Sequence, residues 1–139
     1  LEQILNLKDE DMRAVGLSKQ KIKYIKNVAQ FFKDKNLYKL KKEDWDKKSD
    51  QEIITLLTEI VGIGEWTVQM ILIFKLERKD VFPINDLGVQ VGFAKMFDLE
   101  EFRINNKKEF LKKMLEEAEK EKPYRSDFAK SLWKVKDSK

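Results

Sequence analysis

Few residue types in this chain can do chemistry, and the ones that can are concentrated. There is no Cys and no His among the 139 residues. That removes disulfides, thiolate nucleophiles, the commonest general base and the commonest metal ligand. Any reaction must rest on carboxylates, Lys, Tyr or the substrate itself. Between Ile60 and Asp86 the sequence reads IVGIGEWTVQMILIFKLERKDVFPIND. It offers two glycines, a tryptophan and a carboxylate 20 positions after that tryptophan. Gly62 and Gly64 fit a turn too tight for side chains, between an apolar run ending at Ile60 and another following Trp66. Such a helix-hairpin-helix, over residues 50 to 75, turns backbone N–H groups of Gly62, Ile63, Gly64 and Thr67 toward the start of its second helix. Aligned peptide dipoles favour an anion such as a phosphate there, and a phosphate bound by backbone carries no sequence preference.

The elements that position these residues are helical. A second helix from Glu65 to Lys75 travels roughly 16 Å at ~1.5 Å per residue. Leu76 to Asn85 reach on the order of 30 Å if extended, so Asp86 can return to the hairpin end. Asp86 has two readings at this point: the N-cap of the helix that follows, a common role for Asp, and a functional carboxylate. Leu1, Ile4 and Leu5 suit the tail of a helix. Lys8 to Val15 reads as a short helix ended by Gly16, and Ser18 as the cap of Lys19 to Lys35, whose stripe of Ile22, Ile25, Val28, Ala29 and Phe32 is core. Asn36 to Lys48 reads as a loop with one turn around Trp45. Ser49 to Glu52 is a capping box opening a helix from Asp50 to Ile60. After Asp86 a helix closes before Asp98, a further helix covers Asn106 to Glu121 up to Pro123, and Ser126 is expected to cap a last one, Asp127 to Val135. A strand over Asp80 to Ile84 is rejected, because no second strand pattern exists to pair with it.

The composition agrees with an all-α domain. Hydrophobic residues make up 42% and charged residues 39%, with 5 Gly and 2 Pro, and 139 residues suit a single helical domain, 1–139. The apolar runs fall far short of the ~18 residues of a membrane span, so no membrane partner is expected. A net charge of +4 permits polyanion binding without demanding it, and most lysines read as a solvated surface.

The segments VGIGEWT, DVFPINDLG and KPYRSDFAKSLW, with GLSKQKIKYIKNVA before them, resemble the helix-hairpin-helix (HhH-GPD) DNA glycosylase superfamily. The closest likeness is to its 3-methyladenine DNA glycosylase II, or alkylbase, branch. The resemblance runs in family order over most of the chain. It implies the helix-hairpin-helix DNA glycosylase fold and a monomer that binds double-stranded DNA at a damaged base. It implies cytoplasmic, nucleoid-associated placement in a prokaryote or a nuclear one in a eukaryote. No cofactor is implied beyond a structural Na+ or K+ at the hairpin carbonyls of Ile60 and Ile63. The family's domain normally begins with several further helices, including the wedge that fills the gap left by a flipped base. No counterpart stands here and the first residue is Leu1, so the chain is expected to begin inside the family domain and, by itself, to need its missing part.

By the same resemblance Asp86 is the catalytic carboxylate, stabilising positive charge on the deoxyribose and orienting the attacking water. Trp66 stands where bifunctional relatives carry a Schiff-base Lys, which implies a monofunctional enzyme that hydrolyses the N-glycosidic bond of alkylated purines in base excision repair. Trp66, Met70, Trp133 and Tyr124 would form the base pocket. Ring faces suit the cationic 3- or 7-alkylpurine, which needs no general acid to leave. Two departures bear on this reading: Val61 replaces the family's usual Pro, and Met70 replaces an aromatic found in some members. Arg125 reads as an ion pair or phosphate contact. The alternative is a non-catalytic helix-hairpin-helix module that only holds duplex DNA, which has no use for Asp86, Trp66 and Trp133 together.

Overall fold

A computed structural model describes residues 1 to 138. The all-α expectation holds: ten α-helices, a short 3-10 turn and a π-helical turn form the described residues, with no strand among them. The chain divides into two compact units, Leu1–Gly64 and a second that starts at Glu65.

The first unit contains α1 (Glu2–Asn6), α2 (Asp9–Ala14), α3 (Lys19–Asp34), a 3-10 turn (Leu37–Lys39), α4 (Lys42–Asp46) and α5 (Asp50–Leu57). Its punctuation is local and follows the sequence. Gly16 has φ 99°, Ser18 accepts the Lys21 N–H at 3.2 Å, and Ser49 accepts the Glu52 N–H at 3.1 Å. Each satisfies an N–H or a left-handed turn that a helix end otherwise leaves open. Helix α5 stops three residues earlier than expected. The Thr58 hydroxyl donates to the Ile54 carbonyl at 2.6 Å, and the chain leaves through the turn bond from Ile60 N–H to Leu57 O. The stretch from Asn36 to Lys48, expected to be mostly loop, is more ordered, and Trp45 of α4 stacks on Phe32 of α3 with centroids 6.3 Å apart.

The second unit runs through α6 (Glu65–Met70), the π-helical turn Ile71–Lys75, α7 (Leu87–Met96), α8 (Glu100–Asn105), α9 (Lys107–Lys120) and α10 (Arg125–Asp137). Its core gathers Phe82, Val89, Phe93, Ala94, Phe110, Met114, Ala118, Ala129 and Leu132. Burying each of the larger members contributes about 1.5–3 kcal/mol. Helices α7 and α10 pack closest. A Cβ on Gly92 would lie 2.0 Å from the Leu132 carbonyl oxygen, and one on Gly88 would lie 2.8 Å from Trp133 Cδ1. The two glycines, four residues apart, form a bare strip on α7 that meets the Trp133 side chain at Gly88 and the backbone of α10 at Gly92.

Two expectations are corrected in this unit, and one helix is added. The helix expected from Glu65 to Lys75 has its second half wound as a π turn, with Leu76 N–H bonded to Ile71 O at 3.0 Å, and it ends on Glu77 at φ 54°. A helix the sequence did not signal, α8, fills the stretch between Asp98 and Asn106. Ser126 is not a cap. It is buried inside α10, accepting the Val81 N–H at 2.9 Å and donating to the Arg78 carbonyl at 2.7 Å. The N-terminus of α10 is served instead by the segment Arg78–Val81. The Lys79 carbonyl accepts the Ser126 N–H at 3.0 Å, and Asp80 accepts the backbone N–H of Arg125 at 3.3 Å.

Asp80 also takes the Arg125 guanidinium, at 2.7 Å from Nε and 3.1 Å from Nη2. The Arg125 side-chain hydrogen bond holds the Asp80 carboxyl below the usual carboxylate range, against the opposing effect of burial. A carboxyl whose folded value is depressed contributes stability that is present above its unfolded value, near 3.8, and is lost as pH falls through the folded value. The expected result is that Asp80→Asn flattens the acid limb of stability below about pH 4 while lowering stability at pH 7. Urea midpoints of both proteins across that range measure it, and parallel acid limbs would remove Asp80 from the acid response.

Candidate active site

Asp86 is the N-cap of α7, and its side chain does more than cap. It is only 9% exposed. Its Oδ2 accepts the Val89 N–H at 2.8 Å, the capping bond the sequence allowed for. The same oxygen accepts the indole Nε1–H of Trp133 at 2.7 Å, and Oδ1 accepts that of Trp66 at 2.6 Å. A carboxylate offers about four acceptor positions. Three are occupied, and among the described residues no donor fills the fourth, on Oδ1. Bonds this short to a carboxylate are charge-assisted, each worth about 1.5–3 kcal/mol, and together they fix the orientation of both oxygens.

The two indoles reach the carboxylate by different routes. Trp66 projects from the first turn of α6 and is 50% exposed, with its N–H tied to Asp86 and half its ring in solvent. Trp133 is half-buried on α10. Its approach depends on Gly88, whose missing Cβ would lie 3.0 Å from Trp133 Nε1 and 3.1 Å from Asp86 Oδ2. Met70 is half-buried one turn after Trp66, so the pair shares a helix face. Tyr124 is not part of this group. It precedes α10, is 59% exposed, and stands nine positions before Trp133, which on a helix is about 13 Å along the axis and on the opposite face. A hollow of about 680 Å³ lined by Asp98, Leu99, Glu100, Glu101, Phe102 and Asn105 contains none of these residues.

The hairpin glycines differ from each other. Gly62 has φ 95°, and a Cβ there would sit 2.3 Å from the Tyr24 ring, so both backbone and packing require glycine. Gly64 lies in open space. The expectation that the turn is too tight for a side chain at both positions is met at Gly62 and not at Gly64, whose bare backbone faces outward. Ile63 donates its N–H to the Ile60 carbonyl at 3.0 Å, closing the turn. Thr67 is half-buried in the first turn of α6.

Residues 1–120 match the family model described as HhH-GPD superfamily base excision DNA repair protein. The chain belongs to this superfamily. Within it the relatives are of the alkylbase branch. The chain is 38% identical over 134 residues to DNA-3-methyladenine glycosylase 1 of Schizosaccharomyces pombe, covering 96% of this chain and 55% of that protein. It is 36% identical over 124 residues to the DNA-3-methyladenine glycosylase of Saccharomyces cerevisiae, covering 88% and 39%. The structure of the S. pombe 3-methyladenine DNA glycosylase in complex with abasic DNA superposes with a TM-score of 0.73 at 32% identity, over 99% of this chain and 65% of that one. A DNA-3-methyladenine glycosidase from Bacillus halodurans superposes with a TM-score of 0.81 at 29% identity, over 99% and 59%. The HhH-GPD fold expected from the motifs is thereby established, and the chain spans about half the length of the curated relatives it matches. Among the described residues no helix is long and apolar enough to cross a membrane.

Two participants escaped sequence reasoning. For Gly88 the available signal is a glycine at the second position after a functional carboxylate, with Gly92 one turn on, which marks close helix approach. The other is the pair of indole N–H groups of Trp66 and Trp133, which a reading of the two rings as stacking faces leaves out. A Trp near a carboxylate brings a donor as well as a ring.

Proposed function

We propose that this chain carries the catalytic carboxylate of a monofunctional DNA glycosylase that hydrolyses the N-glycosidic bond of alkylated purines in base excision repair. The observation that supports it most is Asp86, a largely buried carboxylate held by two tryptophan N–H groups and one backbone N–H, with one acceptor position of Oδ1 unfilled. An N-cap alone needs only the Val89 bond.

In this reading the C1′–N bond of the damaged nucleotide lengthens, and positive charge develops on the deoxyribose. A fixed carboxylate stabilises that charge more in the transition state than in the ground state. The open position on Oδ1 orients the water that adds to C1′ and accepts its proton. The alkylated base departs with its own positive charge neutralised by the electron pair of the broken bond, so the absence of His costs the reaction nothing. The half-exposed ring of Trp66 offers a stacking face to an extruded base. Position 66 holds an indole and no amine, so no Schiff base forms there. The hairpin backbone, open to solvent at Gly64 and with the Ile63 N–H already closing the turn on the Ile60 carbonyl, suits a phosphate contact at Gly64 that holds duplex DNA in any sequence. The carbonyls of Ile60 and Ile63 would be the groups to hold a Na+ or K+ ion, which would offset phosphate charge; no step depends on it.

Incubation of the full-length protein with a methylated duplex tests this. Release of free methylated purine with the strand left intact until alkali or heat is the expected result. A covalent adduct trapped by borohydride would assign the chemistry to a lysine instead, and binding without release would reduce the chain to a module that only holds DNA.

A further inference from the structure

Three polar side chains are buried among the described residues: Asp86, Ser126 and Gln90. The first belongs to the candidate site, and the second ties Arg78 and Val81 to α10. Gln90 has no part in either, yet it is 5% exposed among the apolar residues that α7 buries. A buried amide is tolerated where its donors and its acceptor find partners. Those of Gln90 lead to the backbone that delivers the carboxylate.

Gln90 stands four residues after Asp86. Its backbone N–H donates to the Asp86 carbonyl at 3.0 Å, and its side chain points back over the N-terminus of α7. There Nε2 donates to the Ile84 carbonyl at 2.8 Å. Ile84 lies in a pair of turns, closed by its own N–H on the Phe82 carbonyl at 2.9 Å and by the Asp86 N–H on the Pro83 carbonyl at 3.0 Å. On the other side, Oε1 of Gln90 accepts from the ammonium of Lys107, the first residue of α9. A lysine at a helix N-terminus opposes the dipole, and this one turns its charge to Gln90. An ammonium only donates, so it takes the amide oxygen and leaves the amide NH2 for Ile84. Its charge also polarises the amide and strengthens the second bond.

We propose that Gln90 is a positioning residue for Asp86, its amide bracing the turn from which the carboxylate reaches Trp66 and Trp133. This deepens the glycosylase reading and rests on it for the reaction. The three donors on the carboxylate orient its oxygens, but the turns through residues 82–86 place its Cα. A carboxylate that shifts with its backbone meets the developing charge at the wrong distance, and a misplacement of about 1 Å can cost ~10²-fold in rate.

Gln90→Glu separates the brace from the packing. The variant is nearly isosteric, and Lys107 holds it ionised, so it keeps that partner while setting an oxygen against the Ile84 carbonyl. In 15N-labelled full-length protein the indole N–H signals of Trp66 and Trp133, the donors on Asp86, are expected to move, while that of Trp45, the third tryptophan, stays. Lys107→Met, at an exposed position where folding is not at stake, is expected to move the same two signals by less. Single-turnover excision of a methylated purine by Gln90→Glu is expected to fall about 10- to 100-fold, with affinity for undamaged duplex unchanged. In the Asp86→Asn background the same substitution is expected to cost nothing more, because residues that act through one group are not additive. Indole signals that stay in place in both variants, wild-type excision by folded Gln90→Glu, or an equal loss in the two backgrounds would overturn the proposal. A wild type that releases no base defeats the glycosylase reading instead, and the indole signals then decide the placement of the carboxylate by themselves.

Discussion

Asp86→Asn is expected to lower single-turnover excision of a methylated purine by about 10²-fold or more, the scale of losing one preorganised electrostatic group. The substitution keeps size and removes charge. It also meets a constraint that only the structure reveals: both carboxylate oxygens accept indole N–H groups. An Asn side chain has one acceptor oxygen, so its amide NH2 must face either Trp66 or Trp133, donor against donor. A stability loss of about 1–3 kcal/mol is therefore expected as well. Excision is best measured well below the melting temperature of the variant, which is read in the same buffer. Binding to undamaged duplex should hold or improve, since a negative charge has gone. Near-normal excision by the folded variant would make Asp86 a cap and no more.

The largest effect on stability is expected at Gly92. A methyl group there would lie 2.0 Å from the Leu132 carbonyl oxygen and 2.6 Å from its carbon. These are backbone atoms of α10 and cannot rotate aside. Gly92→Ala must push α7 and α10 apart or distort one of them, and an overpacked contact of this kind costs about 1–3 kcal/mol, with the upper end expected here. The higher helix propensity of Ala returns about 1 kcal/mol at most. Because α10 carries Trp133 and Asp86 caps α7, the same displacement should loosen the Trp133 to Asp86 bond, and excision should fall along with the melting temperature. Gly88→Ala, whose Cβ meets the movable Trp133 side chain, should cost less stability and a comparable share of activity. A Gly92→Ala protein as stable as the wild type would show that the helices are not in the contact described.

What the sequence determined by itself was set by neighbours a few residues apart. Gly16 with its left-handed φ, Ser18 and Ser49 as caps, Asp86 accepting the N–H three residues on, and the glycine at 62 follow from local backbone chemistry that a short window contains. The same holds for the family, whose motifs are short and arrive in order. Tertiary structure decided the rest because the partners are distant in the chain. Trp66 and Trp133 lie 20 and 47 positions from Asp86, and no window joins them. Ser126 looked like a cap because Ser, Thr, Asp and Asn cap helices; it is buried because Arg78 and Val81, 48 and 45 residues earlier, need its hydroxyl more. The π turn left no mark in the apolar run ILIF, since burial of Leu72 and Ile73 and exposure of Phe74 suit either winding. Gly88 and Gly92 acquire a role only where α10 lies against them. Only then does the absence of two side chains become what lets an indole reach a carboxylate.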